Sequence, residues 1–368
     1  MPGETGRGSL FVMAGGGTGG HVIPAIAVAR EVARMGHKVV FVGTERGVEN
    51  RLVPAAGFHL DKIRVGGLKN LGVATRIASV WRLLAETAAQ FARFGEWKPA
   101  AIFSMGGYVA GPPVLAGLLR GVPVVVMEPN AVPGATNRWI AKWVKRALIN
   151  FDETRRFFPA GRTECTGLPV RGEFFHLPVK SSGPFTVLIT GGSQGSRTLN
   201  EAARQAWPLF RDANPPIRFI HQTGSPMYAE LSAAFRKAGV SGEISEFIAD
   251  MPAAFAQADL VVCRAGAGAV SELAAAGKPS ILIPFPFAAD QHQLKNAEAF
   301  ERAGAARLCL DKEWTAQKFW ETVVDLRRNP ETLKAMGEAA GKLAHAGAAR
   351  RAAEILIDVT QPVCVDSV

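Results

Sequence analysis

Short β-rich runs, many of them apolar, alternate along the whole chain with longer stretches whose apolar positions recur every three or four residues. In the first half the runs at 10–13, 38–42, 59–63, 101–104, 122–127 and 147–150 read as strands. Helical periodicity begins between them near Val22, Val48, Ala74, Val109 and Gly134. In the second half strands are predicted at 185–190, 218–222, 243–247, 260–263, 280–284 and 307–310. Helices start there near Ser196, Pro226, Met251, Gly268, Gln291, Thr315 and Glu331. Continuous apolar strands separated by helices specify parallel sheets covered on both faces. The expected fold class is α/β, with two doubly wound, Rossmann-like domains facing across a cleft. The uncharged stretch 100–119 is interrupted by Gly106-Gly107 and Pro112-Pro113. It reads as strands around a short helix, not as a membrane span.

The stretch 168–184, with Pro169, Pro178 and Pro184, reads as a linker between a domain at 1–167 and a second at 185–345. Residues 346–368 carry a last helical pattern at 347–359 whose packing the sequence does not place. A chain of 368 residues suits two domains of ordinary size. A hydrophobic content of 48% against 20% charged residues excludes a disordered chain. The four cysteines are scattered, without a C-x-x-C pair, so neither a disulfide framework nor a zinc site is expected, and a reducing compartment is. The apolar run at 10–14 is too short for a signal-peptide core, so no signal peptide is expected.

Charge changes the picture further. Residues 1–150 hold 18 Lys and Arg against 8 Asp and Glu, so the first half carries the whole excess of +10. That half should meet an anionic ligand or surface. No nucleic-acid-binding signature accompanies the charge, so nucleic acid is not an expected partner. At 68–98, Leu68, Leu71, Ile77, Trp81, Leu84, Phe91, Phe94 and Trp97 interleave with Lys69, Arg76, Arg82, Arg93 and Lys98. Such a basic, aromatic, amphipathic stretch can lie in the headgroup plane of an anionic bilayer, or bury its apolar face as an ordinary domain helix. Trp139, Lys142, Trp143, Lys145 and Arg146 would extend the same surface.

The chemistry gathers in the turns after strands. Gly15-Gly16-Gly17-Thr18-Gly19-Gly20-His21 follows the first strand and opens a helix, and Gly191-Gly192-Ser193-Gln194-Gly195 repeats the arrangement in the second half. A glycine turn at a helix N-terminus favours phosphorylated ligands. A dinucleotide site has the same spacing, and Glu45 after the second strand keeps that reading open. His21 offers a neutral imidazole able to take a proton from a hydroxyl, and the positive end of the helix dipole favours the uncharged ring. Gly106-Gly107-Tyr108 is a further turn that either cradles a second phosphorylated group or only bends the chain. Glu128 and Asn130 end a strand where ligands collect; they position a sugar hydroxyl or form an Asx turn. Glu272, read in the first turn of the helix after Arg264-Ala-Gly-Ala-Gly-Ala-Val-Ser271, suits ribose hydroxyls or complements the helix dipole. The amides and imidazole of Asp290-Gln-His-Gln293-Leu-Lys-Asn296 suit the hydroxyls of a neutral sugar, or begin a polar helix.

Seven segments in order over residues 10–305 resemble the MurG family of bacterial cell-wall glycosyltransferases. They are Gly16-Gly-Thr-Gly-Gly-His21, Gly106-Gly-Tyr-Val-Ala-Gly-Pro112, Pro169-Val-Arg171, Gly191-Gly-Ser-Gln-Gly195, Glu246-Phe-Ile248, Cys263-Arg264 with Ser271-Glu272, and Asp290 with Gln293 and Asn296-Ala297. The resemblance implies a glycosyltransferase B fold. It implies inverting transfer of N-acetylglucosamine (GlcNAc) from UDP-GlcNAc to the 4-hydroxyl of the N-acetylmuramyl-pentapeptide of lipid I, giving lipid II. Lipid I would sit on the first domain and UDP-GlcNAc on the second. By motif, His21 would be the general base, with Glu128 the second catalytic group. Thr18, Gly19, Gly20, Asn130, Arg171, Ser193, Ile248, Ala267, Gly268, Ala269, Val270, Ser271, Glu272 and Gln293 would contact the donor, and Gly106, Gly107 and Tyr108 the acceptor. Trp81, Arg82, Leu84 and Lys142 would meet the anionic cytoplasmic face of the plasma membrane, with cell-wall synthesis proteins as further partners. The chain departs from the family at Met127-Glu128-Pro129-Asn130, where His-Glu-Gln-Asn is common. It has no Asp-x-Asp carboxylate pair, so no metal and no cofactor are expected. A transferase for another lipid acceptor and a UDP-GlcNAc epimerase are the alternative readings.

Overall fold

The computed structural model describes residues 8–66, 73–211 and 213–361, with the backbone alone for 73–78. Leu68, Lys69, Leu71 and Cys364 lie outside the described residues. The chain divides into two compact units, residues 1–169 with 347–368, and residues 170–346.

The first unit is a seven-stranded parallel sheet in the order β3-β2-β1-β4-β5-β6-β7. Its strands are β1 (Leu10–Ala14), β2 (Lys38–Thr44), β3 (His59–Ile63), β4 (Ala101–Ser104), β5 (Val124–Glu128), β6 (Arg146–Ile149) and β7 (Thr163–Cys165). Between them run α1 (Gly19–Arg34), α2 (Glu49–Ala55), α3 (Val73–Trp97), α4 (Gly111–Leu119) and α5 (Ala135–Ile140). The central strands are buried on both faces, as their unbroken apolar sequences require. Val12, Val42, Ile102, Val114, Val126, Ile149 and Phe94 form this core. Each large side chain buried there contributes about 1.5–3 kcal/mol of transfer free energy.

The second unit repeats the plan with six parallel strands ordered β10-β9-β8-β11-β12-β13. These are β8 (Phe185–Thr190), β9 (Ile217–Gln222), β10 (Ser241–Ser245), β11 (Leu260–Cys263), β12 (Ser280–Leu282) and β13 (Ala306–Leu308). Its helices are α6 (Arg197–Phe210), α7 (Tyr228–Ala238), α8 (Met251–Gln257), α9 (Ala267–Ala276), α10 (His292–Arg302), α11 (Ala316–Arg328) and α12 (Pro330–Lys342). Ser196 caps α6 by accepting from Leu199 N, and α7 and α9 stop on left-handed Gly239 and Gly277. Trp207 anchors the core, edge-on to Phe235 at 5.0 Å between centroids.

The last helix, α13 (Ala348–Asp358), belongs to the first unit and packs on α1. Arg351 pins it to β7 with two bonds to Glu164, at 2.6 and 3.1 Å. Three sequence expectations need correction. β7 is an edge strand of three residues, too short to show a period. β10 begins two residues before the predicted strand, because Gly242, at a φ of 135 that favours glycine, lies flat on Phe219; a Cβ there would meet Phe219 O at 2.0 Å. Phe247, read as a strand residue, therefore stands 61% exposed beyond β10. Finally, Phe94 faces the core and Trp97 packs against it, so only part of the 68–98 aromatic stretch faces outward. Among the described residues no helix is long and apolar enough to cross a membrane.

Candidate active site

In each sheet the chain reverses its winding beside the first strand, at β1/β4 and at β8/β11. At such a switch point the loops leaving the strands splay apart, and ligands bind in the gap beyond their carboxyl ends. In the first unit the two loops are 15–18 and 105–107. Met105 N donates to Ala14 O at 3.0 Å, which holds them side by side. Gly106 and Gly107 both take left-handed backbone (φ 76 each), and a Cβ on Gly107 would lie 3.5 Å from the His21 ring. His21 is the third residue of α1, and its Nδ1 lies 3.3 Å from Gly16 O. Thr18 precedes the helix, Gly19 and Gly20 form its start, and Tyr108 borders the loop, 43% exposed. The structure thus brings His21, Thr18, Gly19, Gly20, Gly106, Gly107 and Tyr108 into one site.

An unforeseen residue occupies the floor of that site. Glu49, 0% exposed, accepts from Gly17 N at 2.8 Å, from Thr44 N at 2.9 Å and from Thr44 Oγ1 at 2.6 Å. The first glycine turn was expected to cradle a phosphate. A buried carboxylate already takes the N–H of Gly17, and its charge repels an anion. Glu45, the acid considered for a dinucleotide ribose, is exposed on the surface. The only sequence signal for Glu49 is the pair of glycines, Gly43 and Gly47, flanking its approach. A Cβ on either would collide with its side chain.

Glu128 ends β5 as expected, in a buried setting. It is 1% exposed, and both carboxylate oxygens are engaged. Oε1 accepts from Asn130 N (3.0 Å) and Nδ2 (3.1 Å), and Oε2 from Gly134 N (3.1 Å) and Asn137 Nδ2 (2.9 Å). Burial pushes its pKa up against these bonds. Glu128 therefore shapes the turn that carries Asn130 and the start of α5.

In the second unit the loops after β8, β10, β11 and β12 carry the predicted donor contacts. Ser193 lies exposed in the second glycine turn, whose Gly195 packs backbone to backbone on Thr223. Gln222, which sequence reasoning missed, donates to Thr190 Oγ1 (3.2 Å) and Gly192 O (2.9 Å) and accepts from Ile248 N (2.8 Å). It ties the glycine turn to the segment bearing Ile248. Ala267, Gly268, Ala269, Val270, Ser271 and Glu272 form the first turns of α9, beyond β11. Glu272 is its sixth residue, in the second turn and not the first as expected, because Gly266 is the N-cap. Its distance from the helix end weakens the dipole reading. Burial pushes the Glu272 carboxyl up to about 7, opposed by the Arg171 guanidinium, which stacks over Phe174 at 5.1 Å. Gln293 accepts from Phe285 N at 3.0 Å, after left-handed Asp290 and Gln291 (φ 51 and 54). Asn296 is buried and donates to Ala265 O at 3.1 Å, and Arg264 bonds the carbonyls of Ile283 and Pro284; both hold the fold together. Thr18, Gly19, Gly20 and Asn130, grouped by motif with the donor contacts, lie in the first unit.

A carboxylate poised near 7 makes a pH test available. Its folded value lies above the ordinary 4.5, so its stabilising contribution is full below 4.5 and is lost as pH rises through about 7. A ribose diol donating to the carboxylate acts in the opposite direction. Uridine, which has no titrating phosphate, should bind about tenfold more tightly per pH unit up to that value. Calorimetric titration from pH 5 to 8 measures this. The dependence should vanish in Glu272→Gln, and an unchanged slope in that variant would detach Glu272 from the ribose.

Two parallel doubly wound units with ligand loops at their switch points form the glycosyltransferase B fold, and comparison with known proteins gives the enzyme class. The glycosyltransferase family 28 N-terminal domain matches residues 11–149 and its C-terminal domain residues 186–353. A UDP-N-acetylglucosamine--N-acetylmuramyl-(pentapeptide) pyrophosphoryl-undecaprenol N-acetylglucosamine transferase of Solibacter usitatus (strain Ellin6076) is 60% identical over 353 residues, 96% of each chain. The Myxococcus xanthus (strain DK1622) protein of the same name is 40% identical over 95% of this chain and 92% of its own. The crystal structure of Acinetobacter baumannii MurG superposes with a TM-score of 0.80 at 31% identity, covering 95% of this chain and 99% of that one. A Neisseria meningitidis UDP-GlcNAc 2-epimerase shares the fold alone, with a TM-score of 0.66 at 13% identity. The chain belongs to the MurG family of UDP-GlcNAc-dependent glycosyltransferases, within glycosyltransferase family 28.

Proposed function

We propose that this protein transfers GlcNAc from UDP-GlcNAc to the 4-hydroxyl of the N-acetylmuramyl-pentapeptide of lipid I, with inversion at the anomeric carbon and without a metal, giving lipid II. The observation that carries this is the 60% identity, along nearly the whole chain, to a protein named for that transfer. In the reaction the acceptor O4 forms a bond to C1 of GlcNAc and the C1–O bond to the β-phosphate breaks. The O4 proton passes to His21, and the bonding pair leaves on UDP. Arg171, Ser193 and the N–H groups of the second glycine turn offset the charge that grows on the diphosphate, the term usually largest in such catalysis. Glu272 holds the ribose, the α9 start and Ile248 enclose the nucleoside, and Gln293 faces the sugar. Glu128 serves as a positioning residue for Asn130. Incubation with labelled UDP-GlcNAc in buffer containing EDTA tests the reading. Labelled lipid-linked disaccharide should form only when lipid I is present. Turnover without lipid would instead indicate an epimerase, and transfer only to another lipid a different acceptor.

The acceptor is carried by a membrane, and we place the protein on the cytoplasmic face of the plasma membrane, working beside other cell-wall synthesis proteins. The support is on the first unit. Val80, Trp81 and Leu84 of α3 are 47, 69 and 51% exposed beside Arg82. Trp139 and Trp143, both more than half exposed, flank Lys142, with their rings 5.8 Å apart. Binding to vesicles of anionic lipid should weaken severalfold between 0.1 and 1 M salt, as the screening length shrinks from about 10 to about 3 Å. Sedimentation with the vesicles measures this. Salt-independent binding would indicate apolar insertion alone.

A further inference from the structure

Glu49 is a buried charge to which the reaction above gives no task. Cβ atoms at Gly16, Gly43 and Gly47 would come within 2.4, 2.7 and 2.0 Å of its side chain, so three glycines clear the space around it. Burial raises its pKa, but the hydrogen bonds from Thr44 and Gly17 outweigh that and leave it below the ordinary carboxylate value, hence ionised. The N–H of Gly17, which donates to Glu49 at 2.8 Å, and the carbonyl of Gly16, 3.3 Å from His21 Nδ1, are the two ends of one peptide group. A carbonyl only accepts, so Nδ1 carries the proton in this contact and Nε2 is the basic nitrogen. A carboxylate at the N–H end of a peptide polarises the carbonyl at its other end, because successive hydrogen bonds reinforce one another.

We propose that Glu49 is a positioning residue for His21, acting through the Gly16–Gly17 peptide to fix the Nδ1–H tautomer and strengthen Nε2 as the base. The arrangement is that of a carboxylate–imidazole pair with one peptide inserted between its members. It deepens the reading of His21 as the base and rests on it. Tyr108 is a further titratable group at this turn, its hydroxyl 3.7 Å from a Cβ placed on Gly17. On α13 and β2, which also pack on α1, the charges lie elsewhere. Arg350 and Arg351 pair with Glu354, and Arg351 also with Glu164, Asp358 borders β6 and β7, and Lys38 begins β2 at the amino end of the strands, away from the loops.

Histidine-selective ¹⁵N labelling of the full chain tests this, with the His21 signal identified by its loss in His21→Ala. Wild-type His21 should show a protonated Nδ1 and a bare Nε2. Glu49→Gln keeps the size, removes the charge and leaves one accepting oxygen where Glu49 offers two. It should lower the His21 pKa by about half to one unit, lower kcat about tenfold and move the acid limb of the kcat profile to lower pH. KM for UDP-GlcNAc should not change, and thermal melting checks the fold. A His21 ring protonated on Nε2 in the wild type overturns the proposal even if Glu49→Gln does not fold. So does an unshifted His21 pKa in folded Glu49→Gln. If the pKa shifts as expected but His21→Ala retains turnover, the base reading falls, and the catalytic part of this proposal with it.

Discussion

His21→Ala is expected to cut turnover by roughly two to four orders of magnitude while UDP binding persists, the usual scale on which a general base contributes. The geometry supports both halves of that expectation. His21 stands in the first turn of α1, its own N–H bonded to Thr18 O at 3.1 Å, with its ring against Gly107 and Nδ1 toward Gly16 O. Removing the imidazole deletes the proton acceptor without breaking the backbone bonds that start the helix. The proposed nucleotide contacts, Ser193, Ile248, Glu272 and Gln293, belong to the other unit, so UDP affinity should stay within about twofold, a difference near the RT scale. Transfer rates with labelled donor and calorimetry with UDP separate the two effects. Near-normal turnover would take His21 out of the base role, and lost UDP binding would show that the variant disturbs more than the proton transfer.

What could be read from the chain beforehand follows the reach of the interactions. β4, β8 and β11 fall where the apolar runs place them, because a buried parallel strand writes its burial into consecutive residues. The glycine turns, the cap at Ser196 and the start of α8 at Met251 are equally local signals. The site is less legible because its supports are distant partners. Glu49 acts on Gly17 from 32 residues away, and Gln222 joins Gly192 and Ile248 across 30 and 26. No period or spacing announces such pairs. Glu128 shows the converse. Its place at the end of β5 is visible in sequence, but not its burial or the turn its carboxylate ties together. Glu272 lies one helical turn further along than read, since a glycine N-cap gives a weaker start signal than Ser or Asp.

Gly195→Ala is expected to abolish UDP binding and destabilise the second unit, whereas Gly192→Ala, three residues away, should leave both largely intact. Both glycines hold left-handed backbone, with φ of 73 and 83, so both substitutions incur the same conformational penalty of about 1–2 kcal/mol. They differ in what a methyl group would meet. At Gly192 nothing lies within 4 Å, while at Gly195 the new Cβ would sit 1.8 Å from Thr223 O and 2.6 Å from its carbonyl carbon. Backbone cannot give way as a flexible side chain does. Gly224, on the facing strand end, is equally tight, with its own Cβ position 2.3 Å from Gln194 O. The turn must therefore lift off the β9 loop. That movement pulls Gly192 O from Gln222 and, through the same amide, loosens the segment of Ile248. A steric conflict of this kind adds several kcal/mol to the conformational term, enough to weaken UDP binding by more than a hundredfold. Urea unfolding and UDP calorimetry on the two variants measure the contrast. If Gly195→Ala binds UDP as well as Gly192→Ala, the close backbone approach does not shape the diphosphate site, and that site lies elsewhere in the second unit.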